Sequence, residues 1–83
     1  MEEFYYTYIL QSKKDGNKYA GYTKDLNLRF EQHQNGEVES TKHRRPLKLI
    51  FFSAFPDKYL AASFEQYLKT NYGRAFRNKH FIK

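Results

Sequence analysis

Two strand-like segments joined by a tight turn open the chain and limit what it can fold into. Residues 4–11 are almost continuously apolar and rich in aromatic and β-branched side chains, which is typical of a strand covered on both faces. Asp15-Gly16 follows as a turn signal, and residues 18–22 return as a second strand. We therefore expect an antiparallel hairpin, with Gly21 at a tight turn or a close approach of another segment.

A first helix is expected directly after the hairpin. Asp25, or alternatively Thr23, can accept a hydrogen bond from its first free backbone N–H groups. The helix is expected to end near Gln34, because Asn35-Gly36 is a favourable C-terminal cap. Its predicted buried stripe consists of Leu26 and Phe30.

The second half of the chain contains one further strand and two helices. Residues 36–46 lack periodicity and are expected to form a loop, and residues 47–55 predict a buried, central strand. Asp57 is expected to cap a second helix over residues 58–70, and residues 74–81 predict a short basic helix. The predicted apolar face of the second helix consists of Leu60, Phe64, Tyr67 and Leu68, beside a stripe of Ala61, Glu65 and Lys69.

This order, β-β-α-β-α-α, predicts an α+β fold with a three-stranded, mainly antiparallel sheet flanked by helices. At 83 residues we expect one domain over residues 1–83. Eight tyrosines and eight phenylalanines supply the large buried areas that a core of this size needs. The absence of cysteine excludes a disulfide framework and agrees with a cytoplasmic protein, and no segment is apolar over a membrane-spanning length.

Basic residues dominate the chain, with a net charge of +6. They concentrate in two groups, which are Lys42, Arg44, Arg45 and Lys48, and then Arg74, Arg77, Lys79 and Lys83. Clustered cations interleaved with aromatic side chains are typical of a polyanion-binding protein, although a basic face also serves solubility alone. The predicted nucleic-acid contacts are Lys42, His43, Arg44, Arg45, Arg74 and Arg77.

Five polar side chains can meet beside the hairpin. Tyr8 and Tyr19 lie on adjacent strands and can point to one face, while Arg29 and His33 are four residues apart on one face of the first helix. An arginine beside a histidine suits a phosphate group. Glu65, flanked by apolar residues, needs a partner such as Mg²⁺, although it can also pair with a lysine four residues later.

This constellation resembles the GIY-YIG nuclease superfamily over nearly the whole chain. The two signature strands match Tyr6-Thr7-Tyr8 and Tyr19-Ala20-Gly21, and the helix arginine, the residue four later and the helix glutamate match Arg29, His33 and Glu65. The loop ending at Pro46 looks like that of small stand-alone members related to the N-terminal domain of the excision-repair protein UvrC.

The resemblance implies an endonuclease that hydrolyses phosphodiester bonds in DNA with one divalent ion, Mg²⁺ or Mn²⁺, with RNA as an alternative substrate and a targeting protein as a further partner. Tyr19 would act as the general base or position the attacking water, and Tyr8 would hydrogen-bond into the site. Arg29 would stabilise charge on the phosphoryl oxygens, and His33 would bind phosphate or relay a proton. Glu65 would be the sole protein ligand of the metal.

Three positions depart from the family pattern. Tyr6 and Thr7 stand where the family has glycine and isoleucine. Tyr22 stands where some relatives carry a lysine that would help Tyr19 to lose its proton, and Lys24 or Lys42 are alternatives for that lysine. The late asparagine of the family has Asn78 or Asn71 as candidates. The functional alternatives are a DNA endonuclease, including a structure-specific or repair enzyme, and a nucleic-acid-binding module with little or no catalytic activity. A third alternative, a small protein-interaction domain with an incidental basic face, would leave the constellation unexplained.

Overall fold

The computed structural model describes residues 3–70 and 73 and has an α+β architecture, as predicted. Its elements are the strands β1 (Tyr5–Ser12), β2 (Lys18–Thr23) and β3 (Leu47–Phe55), the helices α1 (Leu26–Gln34) and α2 (Lys58–Leu68), and a short 3₁₀ helix (Lys42–Arg44). The 3₁₀ helix lies within the segment that was expected to be an irregular loop. The predicted third helix, residues 74–81, lies outside the described residues.

The sheet is antiparallel with the strand order β2-β1-β3, so the prediction that β3 is the central strand is wrong. The central strand is β1, whose residues 7–10 are all buried. Side chains of β3 instead alternate between covered and exposed positions over much of its length, and Phe52 retains 53% of its accessible surface. The apolar run of β3 therefore belongs to an edge strand that is covered mainly on one face. Such a run does not indicate whether a strand is central or at an edge of the sheet.

Helix α1 begins and ends where the capping residues predict. The Asp25 side chain accepts a hydrogen bond from the backbone N–H of Leu28 at 3.0 Å, so Asp25 is the N-cap. Asn35 is the C-cap, and Gly36 follows with a φ of +79°, a conformation that glycine adopts without steric cost. These two caps fix the length of α1 and therefore the direction in which its last turn points.

Helix α2 buries a stripe that shares only Leu68 with the predicted apolar face, and it ends at Leu68 rather than at residue 70. Its N-cap is Asp57, as expected. The buried residues are Ala61, Glu65 and Leu68, whereas Leu60 and Tyr67 are 51% and 42% exposed. On this side of the helix the buried Thr7 hydroxyl donates a hydrogen bond to the carbonyl of Ala61 at 2.7 Å, so this side lies against β1.

The two helices cover opposite faces of the sheet. Tyr8 points toward α1 and, with Leu10 and Leu47, forms a core cluster against which Leu26, Phe30 and Leu49 pack. Thr7 precedes Tyr8 and therefore points to the other face, where it meets α2. No helix within residues 3–70 and 73 is long and apolar enough to cross a membrane.

Candidate active site

Strands β1 and β2 place two tyrosines on the same face of the sheet. Tyr8 lies directly opposite Gly21, and Tyr19 lies two residues from Gly21 along β2. Because side chains two residues apart on a strand share a face, Tyr19 is a diagonal neighbour of Tyr8. The predicted proximity of the two tyrosines is therefore confirmed.

Gly21 gives the Tyr8 ring the space that it occupies. A Cβ atom at position 21 would lie 2.5 Å from the Tyr8 hydroxyl oxygen and 2.7 Å from the adjacent ring carbon. Gly21 lies within β2 and is not among the glycines with positive φ. The sequence offered a tight turn or a close approach as reasons for this glycine, and the structure shows the close approach.

Gly21→Ala is expected to lower the free energy of unfolding by about 1–3 kcal/mol, the usual cost of overpacking a filled site. The buried Tyr8 ring would have to move from its contact with His33 to admit the new methyl group. Urea denaturation measures the loss. In a Tyr8→Leu background the ring is gone, so the same alanine should cost much less, and equal costs in both backgrounds would contradict the steric explanation.

His33, on the last turn of α1, joins Tyr8 to the loop that follows the helix. Its Nε2 lies 3.1 Å from the Tyr8 hydroxyl and its Nδ1 lies 2.7 Å from the Thr41 hydroxyl, and both His33 and Thr41 are buried. Burial, and then the nearby Arg29 charge, lower the His33 pKa to about 4. The ring is therefore neutral at pH 7, so one nitrogen donates a hydrogen bond and the other accepts one.

The depressed His33 pKa predicts a specific pH dependence of stability. Between the ordinary value of 6.5 and about 4 the unfolded chain binds a proton that the folded chain does not, so stability falls as the pH falls through this window. We expect a loss on the order of 2 kcal/mol from this group. Urea denaturation at pH 7 and pH 4 measures it. The loss should shrink in His33→Gln and persist in the control His43→Gln, whose side chain is exposed.

One cleft of about 510 Å³ collects every side chain of the predicted catalytic set. These residues are Tyr8, Tyr19, Arg29, His33 and Glu65. They come from β1, β2, α1 and α2, so the cleft exists only when both helices are docked on the sheet. The remaining wall includes Tyr22, which is 45% exposed, and the segment that contains Thr41.

Glu65 reaches this cleft as a buried carboxylate with 6% of its surface accessible. Its Oε2 pairs with the Lys69 ammonium at 2.5 Å, and its Oε1 accepts a hydrogen bond from the Gln66 amide at 3.0 Å. The alternative of an ion pair four residues along the helix is thus observed, and it lies inside the cleft. The Glu65 carboxylate therefore already holds one cation, the Lys69 ammonium, at the wall of the cleft.

The other cations of the cleft differ from those expected. Lys18 and Lys69 line it, whereas Lys24 and Lys42 form ion pairs with other residues and do not contribute to its wall. The spacing from Glu65 to Lys69 could have identified Lys69. Nothing in the sequence identifies Lys18, because strict alternation along β2 would turn it away from the face of its neighbour Tyr19.

The predicted nucleic-acid contacts of the loop lie outside the cleft. Lys42, His43 and Arg44 form the 3₁₀ helix, and their side chains, with that of Arg45, are at least partly exposed. Arg44 pairs with Asp15 at 3.3 Å. Arg45 donates a hydrogen bond to the backbone carbonyl of Lys42 at 2.9 Å, so this arginine also holds the shape of the loop. The other two predicted contacts, Arg74 and Arg77, lie outside the described residues, as do Asn71 and Asn78, the two candidates for the late asparagine of the family.

Among the described residues that line the cleft, Glu65 is the one carboxylate that a metal could use. Among residues 3–70 and 73, no three side chains of the histidine, cysteine, aspartate and glutamate types cluster closely enough to hold an ion together. Mg²⁺ is commonly held by one or two carboxylates, with water and substrate phosphate completing its coordination. The Glu65 carboxylate, which holds an ammonium at the cleft wall, fits this type of site.

Comparison with known proteins identifies the family of this arrangement. The family model described as the GIY-YIG catalytic domain matches residues 4–79. The chain belongs to the GIY-YIG family. GIY-YIG nucleases act on DNA and generally depend on a divalent metal ion. Membership therefore gives this chain a domain with nuclease potential, and the resemblance seen in the sequence is confirmed.

Several relatives within this family are small bacterial proteins. A UPF0213 protein of Staphylococcus saprophyticus is 40% identical over 67 residues, which cover 80% of each chain. A UPF0213 protein of Clostridium perfringens is 42% identical over 65 residues, covering 77% of this chain and 69% of the relative. The solution structure of a UPF0213 protein from Bacillus halodurans matches with a TM-score of 0.56 and 33% identity, over 92% of this chain and 83% of the other. This likeness confirms the GIY-YIG fold.

Proposed function

We propose that the protein is a divalent-metal-dependent endonuclease that hydrolyses phosphodiester bonds in DNA. The observation that carries this proposal is the convergence of two phenols, an arginine, a histidine and a buried carboxylate on one cleft. Their chemistry covers what the reaction requires, which is activation of water, stabilisation of developing negative charge and retention of a metal ion. Family membership supports the same reaction class.

In the proposed reaction, the oxygen of a water molecule bonds to phosphorus while the bond from phosphorus to the leaving sugar oxygen breaks. Tyr19 orients the water or, once its phenol has lost its proton to solvent, takes the proton of the water, and the leaving oxygen acquires a proton from solvent. Arg29 donates hydrogen bonds to the phosphoryl oxygens, whose charge rises in the transition state. A divalent ion held by Glu65 would supply further stabilisation of that charge.

Tyr8 has a supporting role in this proposal. Its hydroxyl is 3.1 Å from His33, which is in turn 2.7 Å from Thr41, so a chain of three hydrogen-bonding groups runs along the wall of the cleft. A neutral His33 can orient the Tyr8 hydroxyl and pass a proton along this chain. Because both ring nitrogens already have protein partners, these contacts support proton relay by His33 over direct binding of phosphate.

The basic surface of the protein supports DNA as the partner. The net charge is +6, and three of the positive charges, those of Lys18, Arg29 and Lys69, line the cleft together with the Glu65 carboxylate. We propose that Lys42, His43, Arg44 and Arg45 contact the DNA backbone beside the cleft, with Arg74 and Arg77 as further contacts. Such contacts position a duplex or strand without reading its sequence.

Cleavage of labelled DNA by the purified protein tests this function. Single-stranded, nicked, flap and branched substrates should be incubated with Mg²⁺ or Mn²⁺, and with EDTA as the control. We expect metal-dependent cleavage of at least one structure, and the ranking of the substrates would report whether the enzyme has a structural preference of the kind used in repair. Complete resistance of all four substrates under both metals would contradict an endonuclease.

A second candidate, a nucleic-acid-binding module without turnover, is favoured by the contact between Glu65 and Lys69. This pair occupies the carboxylate that a metal would need. In that case the protein would bind DNA with an affinity that falls steeply with salt concentration, and it would cleave nothing. Affinity measured between about 50 and 200 mM salt, alongside the cleavage assay, separates the two functions.

A further inference from the structure

The ion pair between Glu65 and Lys69 joins a fixed group to a movable one. The Glu65 side chain is 8% exposed and faces the sheet from α2, with Gln66 bonded to its second oxygen. The Lys69 side chain is 52% exposed and begins at the C-cap of α2. Its ammonium is carried on a flexible four-carbon stem. Lys69 can therefore leave Glu65 without any change in the backbone, whereas Glu65 cannot leave the cleft.

Lys69 and a divalent ion would compete for the same carboxylate oxygen. The Lys69 ammonium lies 2.5 Å from Oε2, so its positive charge would repel a divalent ion that approached the same oxygen. The other oxygen is engaged by Gln66. Binding of a metal at Glu65 is therefore opposed by Lys69 in its present position and favoured when Lys69 moves away.

We propose that Lys69 is an exchangeable counter-ion of the metal site, displaced from Glu65 by the divalent ion and released into the cleft to bind a phosphate oxygen of the substrate. This inference rests on the proposed function, since it takes Glu65 as the metal ligand. Lys69 lines the cleft together with Arg29 and Tyr19, so its released ammonium stays beside the place proposed for the phosphate. Lys69 is then a substrate-binding residue that stays paired with Glu65 until the metal and the substrate bind.

The exchange couples the two ligands of the site. A phosphate that attracts the Lys69 ammonium frees Glu65, and a metal that takes Glu65 frees the ammonium for phosphate. By linkage each ligand raises the affinity for the other. In the absence of DNA the ion pair opposes metal binding, so the carboxylate is kept neutralised until substrate arrives.

Binding of Mn²⁺ to the protein without nucleic acid, measured by titration calorimetry, tests the competition directly. Lys69→Met should bind Mn²⁺ at least about tenfold more tightly than wild type, because the competing cation has been removed. Lys18→Met is the matched control, since it removes the same charge from the same cleft but leaves the pair intact. Its affinity should rise much less than that of Lys69→Met.

A second substitution at the same position should change the Mn²⁺ affinity in the opposite direction. Lys69→Arg should weaken Mn²⁺ binding, because a guanidinium can grip a carboxylate through two hydrogen bonds. Circular dichroism at the assay temperature should be used to check that each variant is folded. Equal Mn²⁺ affinity in wild type and Lys69→Met, or an equal gain in Lys69→Met and Lys18→Met, would overturn the proposal.

The same titration separates this inference from the function on which it rests. If wild type binds Mn²⁺ and Glu65→Gln does not, the metal site is supported, and only the comparison of Lys69→Met with its control decides the role of Lys69. If Glu65→Gln binds Mn²⁺ as tightly as wild type, the ligand assignment fails and the exchange fails with it. A protein that binds Mn²⁺ only as Lys69→Met would support the exchange in its strongest form.

Discussion

Glu65→Gln is expected to abolish metal-dependent cleavage, with a loss of about a thousandfold or more, because the substitution removes the one carboxylate among the described residues that line the cleft. Glutamine keeps the shape of the side chain and an oxygen that can accept the hydrogen bond from Gln66. The free energy of unfolding should therefore change by no more than about 1 kcal/mol. Initial rates on the preferred substrate and urea denaturation of both proteins provide the two measurements.

A matched control keeps this result specific. Glu31→Gln also removes one carboxylate from a helix, but Glu31 is exposed and does not line the cleft. Its cleavage rate should remain within about twofold of wild type, as expected for a screened surface charge. Cleavage by Glu65→Gln at the wild-type rate would show that the metal, if one is used, is held elsewhere.

Arg29→Ala is expected to reduce cleavage by about 10²–10³-fold, the usual cost of removing one group that stabilises transition-state charge. Arg29 lies on α1 within the cleft, and its guanidinium donates a hydrogen bond to Gln32 at 3.2 Å, which helps to orient it. Because the guanidinium would contact phosphate and not the metal, Mn²⁺ affinity should not fall in this variant. Single-turnover rates at saturating protein separate the loss of chemistry from weaker DNA binding.

Two further variants define what Arg29 contributes. Arg29→Lys keeps the charge but loses the planar pair of donors, so its rate should lie between those of wild type and Arg29→Ala. Lys24→Ala removes a cation that is paired with Glu3 outside the cleft, so it should cleave nearly as wild type does. An Arg29→Ala protein with an unchanged single-turnover rate would remove this residue from the proposed mechanism.

The local features of the fold could be predicted from the sequence because single residues determine them. Asp25 and Asp57 are the N-caps of the two helices, and Gly36 follows the first helix with positive φ, as their chemistry requires. The alternation of side chains along a hairpin brings Tyr8 and Tyr19 together in the same way. Each of these predictions depends on contacts within a short stretch of chain.

The features that depend on distant contacts could not be predicted. The composition of β3 is that of a buried strand, but strand order is set by which edges pair, and β1 takes the central position. On α2 two neighbouring stripes both carry apolar residues, so periodicity does not select between them. In the folded protein the stripe that contains Ala61 lies against β1, where Thr7 bonds to the carbonyl of Ala61. Glu65 belongs to this stripe and is therefore buried. The presence of Lys18 in the cleft depends on the same docking.

The order of the strands limits how proteins with this site can acquire additional structure. Tyr8 and Tyr19 belong to the face covered by α1, whereas Glu65 comes from the helix on the opposite face, so the two halves of the cleft meet around the edge of β2 that pairs with no strand among residues 3–70 and 73. A fourth strand hydrogen-bonded to β2 would stand between them. Insertions that extend the sheet are therefore compatible with the cleft only beyond β3. By the same reasoning, a peptide that adds itself as a strand along β2 would act as an inhibitor without touching any of the five side chains.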